Sequence, residues 1–304
     1  MKLTRLSDNP IITPLHYHEW EKVATFNCAA AGDGNGLVHM VYRASNTMDP
    51  DHIVSSLGYA VSKDGINFNR LEKPVFTGQG EMEKAGCEDP RITKIGDEYY
   101  MVYVAYSGKY GEDFHDTKIC MASTKNFINW KRYGVILDER DNKDAALFPE
   151  KINGKYVLLH RRKPDIWIAS SGDFHNWQNH TTIMKITGNN WESSKIGIAG
   201  PPHKTEKGWL LFYHAMDKKN IYRLGVALLD LNDPSKVLIR QKDPVLEPEM
   251  DWELKGLVPN VVFSCGSVKI GDKYFVYYGG ADTVIGVAAV PEKEVNEFVS
   301  SIKE

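Results

Sequence analysis

The apolar positions of this chain fall in short runs rich in Val, Ile, Tyr and Phe, punctuated by Gly, Asn and Asp. That is the pattern of strands and turns, not of long helices. A glycine-containing turn followed by an aromatic strand recurs five times, at residues 34–43, 95–103, 152–161, 206–214 and 270–278. Asn-Gly and Gly-Asp before β-rich runs are hairpin signals. A strand–loop–strand unit follows each copy, at residues 57–68, 119–130, 166–177, 224–230 and, cut short, 285–290. A third element ends the unit: Lys73-Pro74-Val75-Phe76, Gly134-Val135-Ile136-Leu137 and Asp243-Pro244-Val245-Leu246. The match for the truncated fifth copy lies at the other end of the chain, in Asn9-Pro10-Ile11-Ile12.

Five copies of a four-stranded unit predict an all-β, five-bladed β-propeller spanning residues 1–304 as one domain. The simplest closure pairs residues 9–13 with the outer edge of the last blade, and proline at a strand start suits an edge. After Pro291, Val295, Phe298, Val299 and Ile302 recur at helical spacing and predict a short C-terminal helix. Two β-sandwiches are the competing architecture, but no linker rich in Pro, Gly or Ser divides the chain.

Composition narrows the function classes. A net charge of -3 and a pI near 6.4 supply no basic field for nucleic acid or an anionic membrane. There is no apolar run long enough to span a bilayer, and the first residues lack the apolar core of a signal peptide. Cys28, Cys87, Cys120 and Cys265 are scattered, without a Cys-x-x-Cys pair, and are expected as reduced thiols in a cytoplasmic protein. His16, His18 and Glu19 lack ligand spacing, and no metal is expected.

The first strand of each propeller blade lines the central channel. Counting back from the hairpins brings Asn27, Glu88-Asp89-Pro90, Asp144, Lys195 and Asn260 to one mouth. The far ends of the second strands add Arg43, His160-Arg161, His214 and Asp282. Among these the acid that stands out is Asp89, which Pro90 biases toward an extended conformation. Alternation along a strand turns Glu88 to the opposite face, as a partner for Arg91 or for another blade's cation. Arg, Lys and His converging beside amides suggest an anion site next to a polyhydroxylated substrate. His160 is expected as a hydrogen-bonded core histidine, and Lys204 and Lys207 as solvated.

These residues carry a family resemblance. Glu88-Asp89-Pro90-Arg91 resembles the glycoside hydrolase family 130 mannoside phosphorylases. So do residues 147–156 running into Leu159-His160-Arg161, Lys195-Ile196-Gly197 with Pro201-Pro202, and Tyr277-Tyr278-Gly279-Gly280-Ala281-Asp282. The resemblance covers essentially the whole chain and implies a five-bladed propeller. It implies that Asp89 is the catalytic acid and that Asn27, Arg43 and Asp282 hold the transferred mannosyl unit, with Glu88 grouped among the substrate-binding residues. It also implies that Arg161, Lys195, His214 and Tyr222 bind phosphate. Two departures stand out. The chain reads His160-Arg161-Arg162-Lys163-Pro164 where the family reads His-Arg-Pro, which leaves both Arg161 and Arg162 as candidates. Ile196-Gly197-Ile198-Ala199-Gly200 replaces Ile-Gly-Ala-Gly.

The activity so implied is phosphorolysis of β-mannosides, β-1,2-mannobiose or β-1,2-oligomannosides, to α-mannose 1-phosphate with inversion. Inorganic phosphate is the co-substrate and no cofactor is needed. The family's proton path runs from the acid through the 3-hydroxyl of the mannosyl ring. An inverting hydrolase needs a second carboxyl group to activate water, whereas phosphate needs only to be bound and aimed. Cations rather than a second acid opposite Asp89 therefore favour phosphorolysis. Asp89 must carry a proton, so burial is expected to raise its pKa, with the cations of the phosphate site opposing that rise and the balance left open. The alternatives are a β-mannosidase on the same propeller, a phosphorylase of β-1,4-mannosyl-glucose or mannooligosaccharides, a furanosidase-type propeller with two or three acids, and a non-catalytic carbohydrate-binding propeller. Loops 47–55 and 106–117 are expected to rim the channel, with His52, Tyr110, Asp113 and His115 as candidates for a second sugar. A homo-oligomer is left open.

Overall fold

A computed structural model describes residues 1–302 apart from 48, 50–52, 112–113, 140 and 189. Five antiparallel sheets follow one another along the chain, each ordered from an inner to an outer strand. Blade 1 comprises Ala24–Gly32, Val38–Ser45, Ser56–Ser62 and Asn69–Arg70. Blade 2 comprises Cys87–Ile95, Glu98–Gly111, Phe114–Thr124 and Lys131–Leu137. Blade 3 comprises Lys143–Leu147, Tyr156–Arg162, Asp165–Ser171 and Gln178–Met184. Blade 4 comprises Lys195–Ile198, Trp209–Met216, Tyr222–Leu229 and Val237–Arg240, with His203–Lys204 paired to the second strand. Blade 5 comprises Val262–Ile270, Lys273–Gly280 and Val284–Pro291, and takes its outer strand, Thr4–Arg5, from the N-terminus. The predicted five-bladed propeller is therefore the fold.

The core is divided as the blades are. Five apolar clusters fill the five interfaces between neighbouring sheets, including the interface between blades 5 and 1. Burying each Leu, Ile or Val there contributes about 1.5–3 kcal/mol. Toward the axis the side chains shrink. Blade 1's inner strand carries Ala29, Ala30 and Ala31, and a Cβ on Gly266 of blade 5 would stand 2.3 Å from the Ala30 nitrogen. Glycine is required there because two backbones meet.

The N-terminus closes the last blade as expected, but with a different segment. The outer strand of blade 5 is Thr4–Arg5, which pairs with Ala289 and Ala288; residues 9–13 do not form it. Ile12 instead makes one bridge to Ile285, as Phe76 does to Leu57 and Leu246 to Leu224. The Pro-containing segments are thus copies of one element, as the sequence suggests. They brace the start of the third strand and are not outer strands. Gly134-Val135-Ile136-Leu137 belongs to a different element, the outer strand of blade 2. The helix Glu292–Ser300 forms as predicted and buries Val295, Phe298 and Val299.

A buried glutamate recurs in four blades, accepting from a second-strand tyrosine and an outer-strand arginine. Glu21 takes Tyr42 and Arg70, at 2.8 and 3.3 Å; Glu83 takes Tyr103 and Arg132, at 2.6 and 2.7 Å. Glu192 takes Tyr213 and Arg240, and Glu253 takes Tyr278 and Arg5. Arg5 therefore completes in blade 5 the set that the other outer strands supply from within their own blades.

Candidate active site

The site begins with a backbone irregularity repeated in three blades. The inner-strand register slips between Phe26 and Cys28, between Glu88 and Arg91, and between Lys143 and Ala146. Asn27, Asp89 and Asp144 sit at these slips with φ of 44°, 49° and 52°. A bulge re-aims a side chain, and Asn and Asp are the residues that best tolerate positive φ. Pro90 therefore does not hold Asp89 extended; the bulge turns it into the channel.

These residues line a cavity of about 190 Å³ at one mouth of the channel. Blade 1 supplies Asn27 and Arg43, and blade 2 supplies Asp89. Blade 3 supplies Lys143, Asp144 and Arg161, and blade 4 supplies Lys195 and Tyr222. Val258, Val261, Phe263 and Asp282 complete the lining. Asn27 Nδ2 donates to Asp89 Oδ1 at 2.8 Å. Arg43 donates from Nη1 to Asp89 Oδ1 at 3.3 Å and from Nη2 to Glu88 Oε1 at 2.7 Å, and its guanidinium lies 4.6 Å from the Phe26 ring centre. Asp144 Oδ2 accepts from Arg161 at 2.5 Å and from His214 Nε2 at 3.1 Å, and its Oδ1 accepts from Arg91 at 3.1 Å. Lys195 lies 5.2 Å from the centre of the Tyr222 ring.

Burial and neighbours set the charges. Burial pushes Asp282 up to about 7, and Asp89 and Glu88 add to the rise against Arg43. Asp89 goes the other way: burial would raise it, but Arg43, Lys143 and Arg91 outweigh burial and lower it. Asp144 is held well below the usual carboxylate range, because Arg161, Arg91 and His214 overcome its burial. Burial, together with Arg161, brings Lys195 down to about 8. Burial also keeps Tyr222 protonated and His214 below its ordinary value. A neutral His214 then donates from Nε2 to Asp144, and its buried Nδ1 has no hydrogen-bond partner among the described residues.

Several expectations change here. Asp89 does not stand alone, since Asp144 and Asp282 share its cavity. Its pKa is lowered, not raised, because the guanidinium that orients it also stabilises its charge. Glu88 does not turn away from Asp89. The bulge breaks the alternation, and both carboxylates share Arg43. Glu88 also holds Lys143 at 3.2 Å and lies behind the lining, so it supports the cavity wall. Arg91 pairs with Asp144 instead of Glu88. His214 is wholly buried behind Asp144 and lies outside the lining. Arg161 lines the cavity, whereas Arg162 pairs with Glu139 and lies 4.8 Å from the Trp167 ring centre. Asn27, Arg43, Lys195, Tyr222 and Asp282 converge as expected.

Lys143 was the lining residue missed, and Asp144, though placed at the mouth, was given no role. The available signal was position: Lys143-Asp144 precedes its hairpin as Glu88-Asp89 does. His160 is a buried, bonded histidine as expected, contacting Asn142 and His180. His16, His18 and Glu19 scatter onto Lys22 and Glu21. Lys207 is exposed, and Lys204 pairs with Glu150 at the surface. His52 and Asp113 lie outside the described residues, as do the side chains of Tyr110 and His115.

The family model described as beta-1,4-mannooligosaccharide phosphorylase matches residues 5–301. A 1,2-beta-oligomannan phosphorylase from Thermoanaerobacter sp. (strain X514) is 56% identical over 97% of this chain and 99% of its own length. A beta-1,2-mannobiose phosphorylase from the same organism is 58% identical over 97% of this chain and 99% of its own. The structure of a beta-1,2-mannobiose phosphorylase from Listeria innocua, in complex with beta-1,2-mannobiose, superposes with a TM-score of 0.88. It is 33% identical and covers 99% of each chain. With a match across nearly its whole length and a channel mouth built from the residues that carry the resemblance, the chain belongs to glycoside hydrolase family 130.

Proposed function

We propose that the protein is an inverting β-mannoside phosphorylase acting on β-1,2-mannobiose or short β-1,2-oligomannosides. The observation that carries this reading is the charge arrangement of the cavity. Four cationic side chains, Arg43, Lys143, Arg161 and Lys195, line it with three carboxyl groups. The acid that a hydrolase would use to activate water, Asp144, is already engaged by Arg91, Arg161 and His214. A carboxylate so paired is a poor base. A bound phosphate needs none. The β-1,2 linkage follows the activities of the two Thermoanaerobacter relatives named above, not the β-1,4 activity by which the family model is described.

In this reading Arg161, Lys195 and Lys143 hold phosphate, with Tyr222 donating a hydrogen bond and His214 steadying Asp144 from behind. Asn27, Arg43 and Asp282 hold the mannosyl ring. Phosphate attacks the anomeric carbon, and Asp89 protonates the leaving oxygen by way of the ring 3-hydroxyl. The product is α-mannose 1-phosphate. Phosphate also serves the acid: its negative charge among Lys143, Lys195 and Arg161 offsets the cations that hold Asp89 low, so Asp89 gains its proton as the nucleophile arrives. Phosphate is the only co-substrate, and no cofactor is assigned. Four buried, unpaired cysteines suit a reducing compartment, and we place the protein in the cytoplasm. No helix among the described residues is long and apolar enough to cross a membrane.

The test is incubation with β-1,2-mannobiose with and without inorganic phosphate. Phosphate-dependent release of mannose and α-mannose 1-phosphate is expected. Release of mannose alone, at the same rate without phosphate, would establish a hydrolase instead. Asp89→Asn is expected to lower turnover by at least about 100-fold while the protein stays folded, in the range of general-acid contributions.

A further inference from the structure

We propose that Asp144 makes the anion niche selective for an oxyanion that still carries a proton, so that hydrogen phosphate is accepted and sulfate refused. The proposal rests on the phosphorolysis reading and names a determinant within that site. A carboxylate has about four acceptor positions on its two oxygens. Three are used, by Arg91 on Oδ1 and by Arg161 and His214 on Oδ2. One remains, on Oδ1, and Asp144 is part of the cavity lining.

The carboxylate is a fixed acceptor. Its side chain is 1% exposed, and its cations keep it ionised throughout the neutral range. Gly197 keeps it in place, since a Cβ there would stand 2.3 Å from Asp144 Oδ2 and 2.5 Å from His214 Nε2. Beside it, Arg161 Nε is buried and has no hydrogen-bond partner among the described residues. A donor without an acceptor and a carboxylate with one unused acceptor position thus belong to two side chains that touch in the wall.

Hydrogen phosphate answers both, because one oxygen accepts from Arg161 while its P–O–H donates to Asp144. Sulfate has nearly the same size and charge but no proton at neutral pH. Its oxygen would meet the carboxylate lone pair to lone pair. Sites built to hydrogen-bond a hydroxyl discriminate strongly against analogues that lack it, because their buried polar group is left unpaired. Cations alone would not distinguish the two anions.

The experiment is competition by sulfate, and separately by arsenate, against phosphate in the phosphorolysis of β-1,2-mannobiose by the intact protein. Arsenate keeps a proton at neutral pH. The sulfate inhibition constant is expected to exceed the phosphate KM by at least about 100-fold, with arsenate competing near that KM. In Asp144→Asn the side-chain amide can donate to a bare oxygen, and the gap between sulfate and phosphate is expected to close by at least about tenfold. Sulfate inhibiting the wild-type protein near the phosphate KM would overturn the proposal, as would an unchanged ratio in a folded Asp144→Asn protein. If that variant does not fold, the wild-type competition decides alone. A phosphate-dependent enzyme that sulfate blocks leaves the function standing and removes only the role of Asp144. Turnover without phosphate removes both.

Discussion

Blade 3 differs from the other four in a way that bears on the site. In blades 1, 2, 4 and 5 a buried glutamate ties a second-strand tyrosine to an outer-strand arginine. In blade 3 the tyrosine position is His160, the glutamate is replaced by Asn142 and the outer-strand arginine by His180. The charged set has become a neutral one. Blade 3 is also the blade that supplies Lys143, Asp144 and Arg161 to the cavity. Asn142 stands two residues before Asp144, whereas Glu21 and Glu83 stand six residues before Asn27 and Asp89. A glutamate at 142 would put a second buried negative charge beside the niche meant for phosphate. A neutral set holds the blade together without weakening that niche, and it does so without a buried ion pair.

The comparison can be broken by experiment. Glu253→Ala should have the largest effect, because it strands Arg5 and the Tyr278 hydroxyl and loosens the ring closure. A loss of about 3–5 kcal/mol is expected by denaturant unfolding. The corresponding change in blade 3, Asn142→Ala, removes hydrogen bonds to His160 and to the Glu139 carboxylate but strands no buried ion, and should cost about 1–3 kcal/mol. Equal losses at the two sites would show that charge is not what separates the blades.

Acid should find blade 3 next. Burial, with His180 alongside, brings His160 down from its ordinary 6.5 to about 3. Between those values the unfolded chain binds the proton and the folded blade does not. Stability is therefore intact above pH 6.5 and falls as pH drops toward 3, by at most about 1.4 kcal/mol per pH unit. Asn142, His180, and Arg162 with its partner Glu139 are the neighbouring groups that bear on this titration. Comparing wild type with His160→Gln between pH 6.5 and 5 isolates it, and the variant's slope should be shallower.

Two activity measurements sharpen the contrast at the cavity wall. With Lys195 near 8, kcat/KM for phosphate should decline above pH 8, approaching tenfold per pH unit as the amine loses its proton. Lys195→Arg should move that decline upward, since a guanidinium stays charged. The smallest effect should come from Arg162→Ala. Arg162 pairs with Glu139 away from the cavity, and the phosphate KM should stay within about threefold of wild type, given the modest worth of partly exposed ion pairs. Arg161→Ala, one residue earlier, should raise that KM far more.

The repeat, the five blades and the terminal helix could be read from the chain. Each depends on local patterns: apolar runs of strand length, Gly-Asp and Asn-Gly turns, and the spacing of Val295, Phe298 and Val299. The Trp-Glu pairs at 20–21, 191–192 and 252–253 were equally visible and mark three of the four buried glutamates; Glu83 follows Met82. Arg5 was not legible as the closing residue, because a two-residue strand leaves no periodicity to detect. Glu88 was misplaced because alternation assumes a regular strand, and one bulge overturns it. The balance of burial against cations at Asp89 was not legible for a different reason: a pKa depends on which charges arrive from other blades, and Arg43 and Lys143 are close to Asp89 only in the folded ring.

The sequence by itself determined the fold class, the blade count and most of the residues that meet at the channel mouth, because backbone preference and side-chain alternation are local. It took the packing of the blades to bring Asp89, Asp144 and Asp282 into one cavity, where Asp282 is raised and the other two carboxyl groups are lowered. That packing also decided that Arg161 and not its neighbour faces inward, and that His214 works from behind. Electrostatic energy depends on distance and burial, and both are set by how five blades pack around an axis.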